Sequence, residues 1–368
     1  MNSSMSLGTV LVVGGCGNLG RRLVDDILER QLAVELSVLD LTVEPKRNPR
    51  TSYHVCDITN KGQVLAFLKR IRPQVIFHTA SPPPTINDME LHLRVNVTGT
   101  QNLVECARAI GCVKAFVYTS TASVIHDANG DLIDGDETCP LVFLPKQKEV
   151  YSHTKALAEQ IVLASNERGK MLTVCIRPSS IFGENDTTQV RNLIESAAAG
   201  KLRVQIGDGK NLFDFTYVGN VVDAEILAAQ RLVKQTSSNR EEIPIAEKID
   251  GEAFTVTNDE HVLFWEYLRA LAAAAGYPVD TSKVWILPTN FAIAIAIIVE
   301  WFVWMISFGH RRPGITRVAI KYSSMTRTYN IDKIKERLGY RPRVGMEEGI
   351  YRTGQSFHID REQLKKQL

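Results

Sequence analysis

Near its start the chain reads Thr9-Val-Leu-Val-Val13, then Gly14-Gly-Cys-Gly-Asn-Leu-Gly20, then apolar residues at helical spacing: Leu19, Leu23, Ile27 and Leu28. Few folds accept that order. A short β-branched apolar run reads as a strand buried on both faces of a parallel sheet. The helical repeat follows with no linker, so the glycines must make the turn between strand and helix. A G-x-x-G-x-x-G turn in that setting lets the backbone approach a pyrophosphate, which rests against the positive helix N-terminus. The expected ligand is a dinucleotide, held at Gly14, Gly17, Asn18, Leu19 and Gly20.

An acidic residue lies where such a site needs one. Asp40 closes the run Leu36-Ser-Val-Leu-Asp40, twenty residues beyond Gly20. A carboxylate at the end of the second strand accepts hydrogen bonds from ribose hydroxyls and repels a 2′-phosphate, which favours NAD over NADP. Lys46 and Arg47 follow too late to form a phosphate clamp. Further apolar runs at Gln74–His78, Ala115–Thr119 and Thr173–Arg177 alternate with helical patterns such as Asn102–Arg108. Alternating strands and helices predict an α/β fold, a Rossmann-type doubly wound parallel sheet, with ligands beyond the carboxyl ends of the strands. His78 at one such end reads as packing or a cofactor contact rather than a base. The pattern becomes less regular after Gly183, as suits a smaller C-terminal substrate-binding lobe. The expected division is an NAD-binding domain over 7–182 and a lobe over 183–368, interleaved with the first domain at 213–230.

Chemistry is carried by Tyr151 and Lys155, in Val150-Tyr-Ser-His-Thr-Lys-Ala156. The spacing of four places both side chains on one helix face. A phenol titrates near ~10 and is a poor base at neutral pH. A neighbouring ammonium favours its phenolate, so the pair is expected to take an alcohol proton while a nicotinamide takes the hydride. Tyr329 and Lys333 share the spacing, but only the first pair follows a complete nucleotide-binding half.

The net charge of +2 and the absence of a basic stripe argue against nucleic acid. The six cysteines form neither a C-x-x-C pair nor a Cys/His cluster, so no metal site and no disulfide framework are expected. The short polar start lacks a signal-peptide pattern, and the catalytic part is expected to face a reducing compartment. Phe291–Val299 is apolar on all sides, and Trp301–Ile306 continues it after Glu300, with Arg311 and Arg312 beyond. Three readings stand for the apolar segment 289–308: a helix in or dipping into one leaflet, which is preferred, a buried helix lining the substrate pocket, and a true span.

These motifs, with Asn96–Leu103, Tyr118–Val124, Arg177–Gly183, Asn211–Asn220, Gly251–Asp259 and Ile331–Pro342, resemble the extended short-chain dehydrogenase/reductases, in the 3β-hydroxysteroid dehydrogenase branch. The resemblance covers nearly the whole chain. It implies an NAD-dependent oxidoreductase that oxidises the 3β-hydroxyl of a 4-carboxysterol and releases the carboxylate as CO2, with Tyr151 as base and Lys155 as its activator. It further implies Thr121 as the catalytic hydroxyl with Ser120 as fallback, and Asn96 in a proton relay. Asp57 and Ile58 become adenine contacts, Thr79, Ala80 and Ser81 strand-end cofactor contacts, and Pro178 and Ser180 the border of the nicotinamide. A fusidane-type triterpenoid acid is the alternative substrate, and a nucleotide-sugar epimerase or dehydratase the alternative enzyme. The implied location is the endoplasmic reticulum membrane with the catalytic part facing the cytosol. Proteins of C4 demethylation and a second copy of the chain are the candidate partners.

Overall fold

A computed structural model describes residues 5–43, 48–236, 244, 247–307 and 316–367, and side chains as far as 358. Lys46, Arg47, Phe308, Arg311 and Arg312 lie outside the described residues. The centre of the fold is a seven-stranded parallel sheet. Its order is Glu252–Val256, Leu172–Pro178, Ala115–Thr119, Val75–His78, Thr9–Val13, Glu35–Asp40, Ser52–Val55. The apolar runs form the inner strands because both faces are covered. Val10, Leu11, Val12 and Val13 are all fully buried, with alternate residues in different core clusters on the two sides of the sheet. The chain thus builds the expected Rossmann-type sheet, and the lobe side of the sequence returns its outermost strand, Glu252–Val256.

Thr9–Val13 pairs with Glu35–Asp40 on one side and with Val75–His78 on the other. Strand order reverses there, and the crevice at that switch point opens at Gly14 and Thr79. Thr79 fastens it by donating from its backbone N–H and its hydroxyl to the Val13 carbonyl, both at 2.9 Å. Outside the main sheet, a small second sheet joins distant segments: Val262–Leu263, Leu212–Phe213, Arg327–Tyr329 and Leu132–Gly135, in that order. These pairings bring Arg327 beside Phe213 and Leu132. Phe213, Phe215, Tyr217, Tyr267 and Leu271 share an apolar cluster, with Leu19 packed against it.

The apolar segment forms one helix, Thr289–Ile306, of 18 residues and mean hydropathy 1.9. Only its small residues Ala292 and Ala296 are buried, against Ile320. Phe291, Ile298, Trp301, Phe302, Trp304 and Ile306 are each more than half exposed. The reading as a pocket-lining helix is therefore corrected: the large side chains face away from the protein. Glu300 is held by Arg317 from the next helix, whose Nε lies 2.6 Å from its carboxylate.

Candidate functional site

The helix Asn18–Glu29 begins immediately after the glycine turn, and no side chain caps it. Its first N–H groups are thus open to an anion. The turn is tight by necessity. Gly14 has φ +82, and a Cβ there would lie 2.6 Å from the Ala80 nitrogen. A Cβ on Gly20 would lie 2.2 Å from the Gly14 carbonyl oxygen. Asp40 sits behind the turn, with one carboxylate oxygen accepting from Cys16 N–H at 2.9 Å and the other from Leu41 N–H at 2.7 Å. Glycines that admit no side chain, an uncapped helix and a carboxylate at the second strand end fit an NAD molecule. Gly14, Gly17, Asn18, Leu19 and Gly20 would hold its pyrophosphate and Asp40 its ribose.

One cavity of about 700 Å³ runs from the glycine turn past Tyr151 and Lys155 to Phe264 and Leu271. Its lining joins Gly14, Gly17, Asn18, Leu19 and Gly20 to Thr79, Ser81, Ser120, Thr121, Tyr151, Lys155, Pro178 and Ser180. Four expected cofactor contacts stand behind that wall. Ala80 supports Gly14, and Asp40 supports the turn. Asp57 accepts from Thr59 N–H at 2.9 Å, and Ile58 packs where a Cβ on Gly99 would come within 2.7 Å of it. The far end of the cavity is aromatic and aliphatic: Phe213, Phe215, Phe264, Tyr267, Leu268 and Leu271.

Tyr151, Lys155 and Glu159 lie at successive four-residue steps on the helix Val150–Ala164. The Tyr151 hydroxyl has no hydrogen-bond partner among the described residues and stands at the cavity wall. The Lys155 amine is buried, donates to the Thr119 carbonyl oxygen and lies 4.3 Å from the Tyr118 ring centre. Ser120 donates to Glu159 at 2.6 Å, and Glu159 is further engaged by the buried Arg177. Thr121 makes only long bonds, donating to the Ser123 hydroxyl and accepting from the Ser123 N–H, both at 3.3 Å. Of the two candidate hydroxyls, Thr121 is therefore the one more open to a ligand.

One electrostatic expectation is corrected. Burial raises the Tyr151 pKa, and the Glu149 carboxylate raises it further. Lys155 is instead driven down to about 7 by burial, against the pull of Cys175, Glu159 and Glu225. The spacing places the pair correctly, but the amine is turned to Thr119. Burial then dominates both groups.

Asn96 lies in a π-helical stretch, Leu93–Gly99, which packs against the helix Val150–Ala164. Its amide donates to Thr154 at 3.0 Å and reaches His92 Nδ1 at 3.3 Å. The His92 ring meets Tyr151 edge-on, with centroids 6.0 Å apart. His92 thus meets Tyr151 by ring packing alone, since its nitrogens are taken by Asn96 and by the Ile86 carbonyl at 2.8 Å, and the buried Asn96 carbonyl oxygen has no partner among the described residues. His78 is a packing residue: it is fully buried, bonded to Thr100 at 2.9 Å, and held down to about 3 by burial and by Lys155.

Sequence reasoning missed Ser123, Glu149, Tyr322 and Arg327, all of which line the cavity. It also missed Glu225, fully buried beneath Thr119. The run of charges Lys146, Lys148 and Glu149 just before Tyr151 is the available signal for Glu149. Arg327 had a weaker one, lying two residues before Tyr329. The Tyr329–Lys333 pair separates in the fold: Tyr329 accepts from Arg327, while Lys333 pairs with Glu252.

Residues 11–289 match the model of the 3-beta hydroxysteroid dehydrogenase/isomerase family. The chain is 36% identical over 362 residues to 3beta-hydroxysteroid-dehydrogenase/decarboxylase isoform 1 of Arabidopsis thaliana, covering 94% of this chain and 79% of that one. It is 36% identical over 359 residues to the decarboxylating sterol-4-alpha-carboxylate 3-dehydrogenase of Candida albicans (95% and 97% covered). Its identity to the human protein of that name is 35% over 360 residues (95% and 88% covered). Among solved structures, UDP-glucose 4-epimerase of Thermus thermophilus with NAD superposes with a TM-score of 0.66 at 23% identity, covering 95% of this chain and 98% of that one. That likeness shows the fold.

Proposed function

The chain belongs to the 3-beta hydroxysteroid dehydrogenase/isomerase family, and from that membership we propose that it oxidises the 3β-hydroxyl of a 4-carboxysterol and releases the C4 carboxyl as CO2. The observation that carries the reading is one cavity with a glycine turn at one end, an aromatic wall at the other, and between them the Tyr151 hydroxyl, which has no hydrogen-bond partner among the described residues. An apolar compartment suits a sterol ring system better than a sugar nucleotide. The relatives' names supply the carboxylated substrate.

NAD, when bound, accepts the hydride from C3. The proton chemistry belongs to the chain. Tyr151 as phenolate takes the 3-hydroxyl proton, and Thr121 holds the same oxygen. Because burial opposes the phenolate, a cation must stand beside it, and Lys155 one helical turn on is the side chain able to supply one. Oxidation leaves a β-keto acid. Loss of CO2 from it puts negative charge on the C3 oxygen, where Tyr151 (now protonated) and Thr121 can donate hydrogen bonds. Return of the Tyr151 proton to C4 restores the phenolate, so the cycle closes with no further base.

We place the enzyme on a membrane, with the helix Thr289–Ile306 lying in one leaflet and the catalytic part in the cytosol beside the endoplasmic reticulum. Support comes from the helix itself: its small face is against the protein and its large apolar face is outward. A C4-demethylation complex and a homodimer belong to the same proposal. The test of the reaction is NADH formation and CO2 release from a 4-carboxysterol, both lost in Tyr151→Phe. Turnover of a sugar nucleotide with no turnover of sterol acids would overturn it.

A further inference from the structure

Arg327 is a buried cation at the cavity wall with no ion-pair partner among the described residues. Its side chain is almost wholly enclosed. Nε donates to the Tyr329 hydroxyl at 2.7 Å, and one terminal nitrogen donates to the Ser123 hydroxyl at 2.6 Å. The rings of Tyr322, Phe213 and Tyr329 surround the guanidinium, 5.2, 5.5 and 5.7 Å from its carbon. Among the described residues no carboxylate lies within ion-pair distance of it. The nearby acid at the cavity wall, Glu149, is engaged by the hydroxyls of Tyr322 at 2.9 Å and Ser152 at 3.2 Å. A buried charge is ordinarily paired, and a guanidinium cannot escape by losing its proton. Glu149 acts on the guanidinium only through space and is engaged by other hydroxyls, so a ligand carboxylate can supply the direct counter-ion that the described residues do not.

The position also fixes which part of the ligand that is. The Ser123 hydroxyl links Arg327 to Thr121, 2.6 Å from the one and 3.3 Å from the other. Thr121 is the hydroxyl that would hold the C3 oxygen. A group recognised by Arg327 therefore sits on a ring carbon next to C3. In a 4-carboxysterol the carbinol and the carboxylate occupy adjacent carbons, which is the same spacing. Resting on the reading of the chain as a 4-carboxysterol dehydrogenase, we propose that Arg327 anchors the C4 carboxylate and selects carboxylated over uncharged 3β-hydroxysterols.

The experiment compares two sterols that differ at one substituent, a 4-carboxy- and a 4-methyl-3β-hydroxysterol. They are assayed on detergent-solubilised wild type, Arg327→Met and Arg327→Lys, with NAD binding followed separately by fluorescence as the check on folding. The expected result for Arg327→Met is a fall of about 100-fold in the acid-to-methyl ratio of kcat/KM, carried by KM for the acid. Lysine keeps the charge but lacks the planar fork, so Arg327→Lys is expected to lower the ratio by about tenfold. If Arg327→Met no longer binds NAD, Arg327→Lys decides alone. A guanidinium that only ties Ser123 to Tyr329 would weaken both sterols alike, so a ratio unchanged from wild type overturns the proposal. A wild type that oxidises the methyl sterol and ignores the acid overturns the functional reading, and this assignment with it.

Discussion

Lys155 and Glu225 meet through one residue. The amine donates to the carbonyl oxygen of Thr119, and the hydroxyl of the same Thr119 donates to the Glu225 carboxylate. Both side chains are buried. Burial brings Lys155 down to about 7 and Glu225 up to about 7, each partly offset by the other's charge. The floor of the cavity thus holds an acid and a base that titrate in the same range, and the protonation of Lys155 depends on a residue outside the cavity lining.

Glu225→Gln tests that coupling through stability. The folded pKa of Glu225 is raised from 4.5 to about 7. Its contribution is therefore fully present below 4.5 and is lost as pH rises toward 7. Glutamine has no proton to lose. The variant is expected to gain stability relative to wild type across that window, by up to about 3 kcal/mol, and to hold the gain at higher pH. Denaturant melts of both proteins at several pH values measure it. A difference that stays flat with pH would show that Glu225 is not buried as an acid.

Tyr151→Phe separates chemistry from structure. The phenol hydroxyl has no hydrogen-bond partner among the described residues, so its removal leaves no protein group unpaired. Thermal stability and NAD affinity are expected to change little, while kcat for NADH formation falls by about 10²–10⁴. A large drop in melting temperature would mean that the phenol is a packing group.

The catalytic pair and the glycine turn were legible because each is local: a spacing of four on a helix, or glycines between a strand and a helix. Arg327 and Glu225 were not. Arg327 reaches the cavity because Phe213, Arg327 and Leu132 pair across strands of two to four residues, too short to show alternation. Glu225 lies on the helix Val218–Thr236, where it reads as one more charge until the fold buries it under Thr119. The lowered phenol was inferred from spacing alone, yet burial decides it, and burial is a property of the whole fold.

The glycine turn offers a contrast between two backbones with left-handed φ. Gly111 has φ +68 and open space where a Cβ would go, while Gly14 has φ +82 and the Ala80 backbone at 2.6 Å. Gly111→Ala carries only the backbone strain, about 1–2 kcal/mol. Gly14→Ala adds a collision at the mouth of the nucleotide crevice. It is expected to be the more destabilised of the two and alone to lose NAD affinity, read by cofactor fluorescence titration. Equal NAD binding by both variants would remove the turn from the cofactor site.

Glu300 is the one charge within the apolar helix, and its partner Arg317 binds it twice, through backbone N–H at 2.7 Å and Nε at 2.6 Å. A carboxylate costs far less in a membrane when it is paired or neutral. If the helix lies in a leaflet, Glu300→Gln strengthens membrane partition, because it removes the charge. Arg317→Ala weakens partition by about an order of magnitude, because it leaves that charge alone. The opposite signs are the test, since a surface helix held by the ion pair alone would give weaker association in both. Flotation of the purified variants with phosphatidylcholine vesicles measures them without reference to catalysis. Trp301→Ser with Trp304→Ser should shift the chain toward the unbound fraction while NADH formation with detergent-presented substrate persists, because neither side chain lines the cavity.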